Sequence, residues 1–116
     1  MKDYVFIIRY EPLTPEVFAS VRPKWALIIP KWKEQGHFVD SFLMTNTGHL
    51  VSGNERVETT GPVLNNGHIV LSIIRMKAES MEQAIELSKQ VATLDVGGTV
   101  EVREVQPTPA VVNPVG

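Results

Sequence analysis

Cysteine is absent from this chain. Without thiols there is no disulfide, no thiolate nucleophile and no thiolate-bound zinc, a state compatible with a reducing cytosol. A dominant charge sign is also missing: 11 basic residues stand against 13 acidic ones, for a net charge of −2. The basic residues are scattered, Lys24, Lys31 and Lys33 being the nearest to a cluster. No footprint for phosphate backbones results, and nucleic acid is not an expected partner. Long apolar runs are lacking too. In MKDYVFIIRY the apolar run is short and flanked by Asp3 and Glu11. It is too short for a signal h-region with its cleavage site and far short of a membrane span. The expectation is a cytoplasmic protein without a membrane partner.

Motifs of chemistry are scarce as well. The three histidines, His37, His49 and His68, form neither an i, i+2 strand pair nor an i, i+4 helix pair with another ligand residue, so no local metal motif is present; no cofactor is expected. Gly48, Gly53, Gly61 and Gly67 match no phosphate-binding loop, and no serine sits in a nucleophile elbow. His37 follows Gly36 at a helix end, where it reads as a capping or surface residue.

What is present is the material of one globular domain. The 116 residues, 43% apolar and 21% charged, suffice for a real core of modest stability. Tyr4 to Ile8 reads as a strand apolar on both faces. Thr14 and Pro15 cap a helix, which Pro23 and Pro30 divide into two expected pieces, about Pro15 to Val21 and Lys24 to Gln35. Phe38 to Thr45 reads as a strand. HLVSGNERVE reads as two short runs with a two-residue turn at Gly53-Asn54, and Thr59 to Gly67 as loop. Ile69 to Met76 is a second strand apolar on nearly every position. Ser80 and Gln83 form a capping box. The helix they open places Met81, Ala84, Ile85, Ser88 and Val91 on one face. After Gly97-Gly98, Thr99 to Val105 alternates, with Val100 and Val102 opposite Glu101 and Arg103. Residues 106–116 hold three prolines without periodicity and form an expected extended tail after a domain of residues 1–105.

Strand, helix, strand, hairpin, strand, helix, strand is the ferredoxin-like βαββαβ plan of an α+β antiparallel sheet, with an inserted hairpin. It puts the two strands that are apolar on both faces at the sheet's centre. Helices cover only one face, so residues such as Val5, Ile7, Val70 or Ile73 would meet water on the other. Leaving them wet forgoes several kcal/mol at about 25 cal/mol per Å², and soluble monomers rarely carry such a patch. A homodimer packed sheet against sheet is the simplest remedy; a helix or the tail folded over that face is the rival.

SMEQAIELSKQVATLDVGGTVEVREV (residues 80–105) resembles the C-terminal half of YCII-related proteins of the DGPF-domain type, which end in a capped helix, a GG turn and a VEVR-like strand. MKDYVFIIRY is similar to that family's first strand. The resemblance implies a ferredoxin-like protomer in the dimeric α/β-barrel group. The chain departs from the pattern in two places. Thr60-Gly61-Pro62-Val63 lacks the acidic and aromatic positions of the DGPF signature. Arg22-Pro23-Lys24-Trp25 resembles the Arg-Pro-x-His stretch that supplies the proposed catalytic histidine in the family's YCII branch, but has Trp25 in its place. An indole cannot exchange a proton near neutral pH, so that acid–base role lapses. Asp95 is a loose counterpart of the branch's second acidic residue.

Candidate ligand-binding residues are His68, Asp40, Arg9 and Trp25. His68 opens a central strand, either as an ordinary strand-end residue or facing a pocket. Asp40 interrupts an apolar strand, facing outward at an edge or inward to a cavity. Arg9 offers a planar fork to an anion or to a salt bridge. Trp25 and Trp32 share a helical face, for packing or for stacking on a ligand. Two readings follow. The first is a homodimeric protein that binds a small molecule or a protein partner without catalysis. The alternative is a cofactor-free enzyme acting on a small carboxylated or aromatic substrate, with His68 or Asp40 as general base and Arg9 as anion anchor. A purely structural or regulatory partner of another protein is a third possibility.

Overall fold

The computed structural model of the chain describes residues 1–107, so residues 108–116 of the expected tail lie outside the described residues. Its elements are β1 (Lys2–Tyr10), α1 (Pro15–Glu34), β2 (Phe38–Leu43), β3 (Gly48–Ser52), β4 (Val57–Gly61), β5 (Ile69–Ala78), α2 (Met81–Ser88), a 3₁₀ turn (Ala92–Val96) and β6 (Thr99–Glu104). Four strands form an antiparallel sheet in the order β2-β5-β1-β6, and β3 and β4 pair separately as a hairpin. With the hairpin set aside, this α+β arrangement is consistent with the ferredoxin-like plan. The two strands at its centre, β1 and β5, are the two whose sequences are apolar on both faces.

One sheet face carries the core. Tyr4, Phe6 and Ile8 of β1 and Ile74, Met76 and Ala78 of β5 alternate inward and are buried. They pack with Ile28 and Trp32 of α1 and with Ala84, Leu87 and Val91 from the α2 region. The Trp32 ring stands edge-on to Phe6 at 6.1 Å between centroids, a favoured aromatic geometry. Its Nε1 donates to Gln90 Oε1 at 3.2 Å, which satisfies the one polar atom of the indole.

Several local expectations need correction. The two helical pieces are a single 20-residue helix with both prolines inside it. Each proline removes one i→i−4 hydrogen bond, freeing the carbonyls of Ala19 and Ala26. Those two alanines are exposed, as are Pro23 and Pro30, so water can take the vacated acceptors while Val21, Ile28 and Trp32 hold the buried face. The hairpin turn spans four residues, Gly53 to Arg56, between paired Ser52 and Val57. Thr59 to Gly61 belong to β4 instead of a loop. In α2, Leu87 is buried and Ile85 is exposed, because the short helix meets the sheet on its Ala84–Leu87–Ser88 side.

His37, expected as a capping or surface residue, takes part in capping α1 but is buried and not at the surface. Its backbone N–H, together with that of Gly36, closes α1 in a Schellman motif: His37 N donates to Trp32 O at 2.8 Å and Gly36 N to Lys33 O at 3.1 Å. Gly36 has φ +79°, a conformation that costs an L-residue energy. The His37 imidazole turns to β5, its Nδ1 lying 2.8 Å from Lys77 O. A carbonyl only accepts, so that nitrogen carries the proton.

Candidate functional site

Two surfaces follow from this fold. The first is the sheet face away from the helices. Val5 and Ile7 of β1, Val70 and Ile73 of β5 and Phe42 of β2 lie on it, and registers Ile7↔Ile73 and Phe42↔Ile73 join them across three strands. Phe42 is 49% exposed and Val70 36%. Around this apolar band each acid has a basic partner. Asp3 accepts from Lys77 at 2.8 Å. Asp40 accepts two bonds from Arg75, each 2.7 Å. Glu101 accepts from Arg9 at 2.8 Å and lies 3.4 Å from Arg103. Hydrogen bonds from Lys77, Arg75 and Arg9 respectively hold the Asp3, Asp40 and Glu101 carboxyls below their ordinary pKa range. The same bond raises the pKa of Arg75.

The second surface is a cleft on the helix side, where α1 stands off from the edge strand β2. It encloses about 260 Å³, just under the roughly 300 Å³ at which small-ligand pockets begin. Phe18, Val21, Trp25 and Ile29 of α1 form one wall, and Leu43, Leu71 and Ile74 of the sheet the other. Arg22, Ser41, Ser72 and Thr93 supply the polar atoms. Leu13, also in the lining, is held by two hydrogen bonds of 3.1 Å with the Asn46 side chain. A contact from Lys24 Nζ to Asp95 Oδ2 at 2.6 Å ties α1 to the 3₁₀ turn, so Asp95 serves as a brace on that side.

The four residues singled out from sequence divide between these surfaces. Asp40 and Arg9 share the open sheet face, and both are engaged in ion pairs. Asp40 lies across from Arg75, which lies across from Val5, and Arg9 follows four residues further along β1. Strand geometry sets them about 16 Å apart. His68 sits just before β5, in a reciprocal backbone pair with Asn65 and beside the Tyr10 ring at 6.2 Å. Only Trp25 reaches the cleft. It is half-buried and edge-on to Trp32 at 6.2 Å.

Arg22 and Thr93 are the functional candidates that sequence reading passed over. Arg22 lies three residues before Trp25, a spacing that shares a helix face, so its place beside the indole was readable. Thr93 reaches the cleft through the 3₁₀ turn, which leaves no periodic signal. Among the described residues no group of three or more His, Cys, Asp or Glu side chains is placed to hold a metal ion, and no helix is long and apolar enough to cross a membrane. No protein-family model matches the chain, and no curated protein matches it either.

Proposed function

We propose that the chain is a homodimeric binding protein that takes a small molecule into the cleft between α1 and the β2–β5 edge and performs no chemistry on it. The observation that carries this reading is the cleft's lining. Apolar walls face each other across about 260 Å³, and the described lining residues include the guanidinium of Arg22 but neither a carboxylate nor an imidazole to act as a general base. Such a lining supports capture ahead of proton transfer. Trp25, where the YCII branch of the family the chain resembles has its proposed catalytic histidine, supports the same reading.

The dimer joins two open sheet faces. Four strands at about 4.8 Å spacing and a nine-residue central strand give a face on the order of 600 Å² before side-chain relief. A standard interface uses about 800 Å² per partner. The acids of the face are already paired within the protomer, so a second copy meets little unbalanced charge. Resemblance to the YCII-related group, whose protomers pair in this manner, supports it as well.

A neutral apolar dye, N-phenyl-1-naphthylamine, tests the cleft. It is expected to bind saturably, one per chain, and to lose binding in Ser41→Trp, which fills the cleft from the exposed edge strand. Equal binding by a folded Ser41→Trp protein would place the dye elsewhere and end the cleft reading.

A further inference from the structure

We infer that the cleft selects a small monocarboxylate with an apolar body, its carboxylate held by Arg22 and its body packed against Trp25. This rests on the reading of the cleft as a ligand site and adds the class of ligand. Three observations converge on it. The first is the state of Arg22. Arg9 and Arg75 both carry ion pairs with carboxylates, while Arg22, on the exposed side of α1, makes neither an ion pair nor a side-chain hydrogen bond among the described residues. A guanidinium without a carboxylate beside an apolar hollow offers a bidentate fork to an incoming anion.

The second observation is Thr93. It is 3% exposed and lines the cleft, and its hydroxyl makes no hydrogen bond among the described residues. Buried hydroxyls are normally satisfied, so this one awaits a polar atom inside the cleft. The third is the shape of the lining. Phe18, Trp25 and Ile29 on one side face Leu43 and Leu71 on the other, which favours a flat aryl or a short alkyl body over a sugar or a peptide. A carboxylate at Arg22 with a hydroxyl or carbonyl near Thr93 would satisfy both polar groups at once. Lys24, two residues from Arg22, does not compete for the anion, because Asp95 already neutralises it.

Isothermal titration of the intact chain with 4-phenylbutyrate and octanoate, each beside its neutral primary amide, tests the inference. The acids are expected to bind more tightly than the amides by about 10- to 100-fold, the range for hydrogen bonds to charged groups. Arg22→Gln should bring the acids down to the level of the amides, and Arg22→Lys should keep part of the difference. Acid and amide binding equally in the wild type, or an Arg22→Gln protein that binds the acids unchanged, overturns the carboxylate assignment and leaves the cleft as a ligand site. Failure of all four probes and of N-phenyl-1-naphthylamine overturns both. Arg22 is exposed, so its variants should fold, and far-UV circular dichroism checks that they do.

Discussion

Asn46 holds Leu13 on both sides of its backbone: the side-chain carbonyl accepts from Leu13 N and the side-chain amide donates to Leu13 O, each at 3.1 Å. The two residues are 33 positions apart in sequence, and the pair joins the β1–α1 loop to the segment after β2. One side chain thus does the work of a strand neighbour and fixes Leu13, a residue of the cleft's lining.

Asn46→Ala removes both bonds at an exposed position. The expected loss is about 1 kcal/mol, a fall of a few degrees in thermal midpoint. Dye affinity should fall as well, because Leu13, which lines the cleft, loses both of these bonds. Thermal unfolding and dye titration of the same variant separate the two, and an unchanged affinity would show that the pair does not shape the site.

The burial of Leu87 in place of Ile85 gives a second test. Leu87→Ala should cost about 2–5 kcal/mol, the range for truncating a core leucine. Ile85→Ala should stay within about 0.5 kcal/mol, as an exposed substitution does. Urea unfolding of the two variants measures the difference, and equal losses would contradict the helix orientation.

Gly98 is expected to resist even alanine. A Cβ there would lie 2.8 Å from Thr93 Cγ2, 2.9 Å from Thr93 O and 3.0 Å from Arg9 O. Two of these neighbours are backbone and cannot swing aside, so Gly98→Ala should destabilise by about 1–3 kcal/mol. It should also disturb the cleft through Thr93. Parallel unfolding and binding measurements check both effects.

Acid should weaken the fold through the open sheet face. Asp3, Asp40 and Glu101 have folded pKa values lowered by their basic partners. The unfolded chain therefore binds protons more readily than the folded one. Their stabilisation is complete above the ordinary carboxylate range, near pH 4, and is lost as pH falls through the lowered folded values. The groups are solvent-exposed, so the effect is modest. Thermal midpoints between pH 5 and pH 2 should fall less steeply for Asp40→Asn than for wild type, the two curves converging toward acid.

Much of the frame was legible because its signals are local. Thr14 caps α1 through its Oγ1 to Val17 N, and Ser80 caps α2 through its Oγ to Gln83 N. The β6 alternation places Glu101 opposite Val100 and Val102, and the apolar richness of β1 and β5 marked them as central. The misreading of α1 has a tertiary cause. Pro23 and Pro30 should break a helix on propensity alone, yet the burial of Val21, Ile28 and Trp32 keeps it whole. The candidate site was harder to read, because its parts converge only in three dimensions. Arg9 and Asp40 stood out as charges in apolar strands, but their ion-pair partners Glu101 and Arg75, brought beside them by the sheet, lie 92 and 35 residues away in sequence. Trp25 was found from its seven-residue spacing to Trp32.

The pairing of open sheet faces is tested most directly by sedimentation equilibrium at micromolar concentration, on the wild type and on Ile7→Glu, which sets a charge in the middle of the apolar band. The account predicts a wild-type mass of twice the 12.9 kDa chain and a folded Ile7→Glu protein at the mass of one chain. A wild-type particle of 12.9 kDa under those conditions would contradict it.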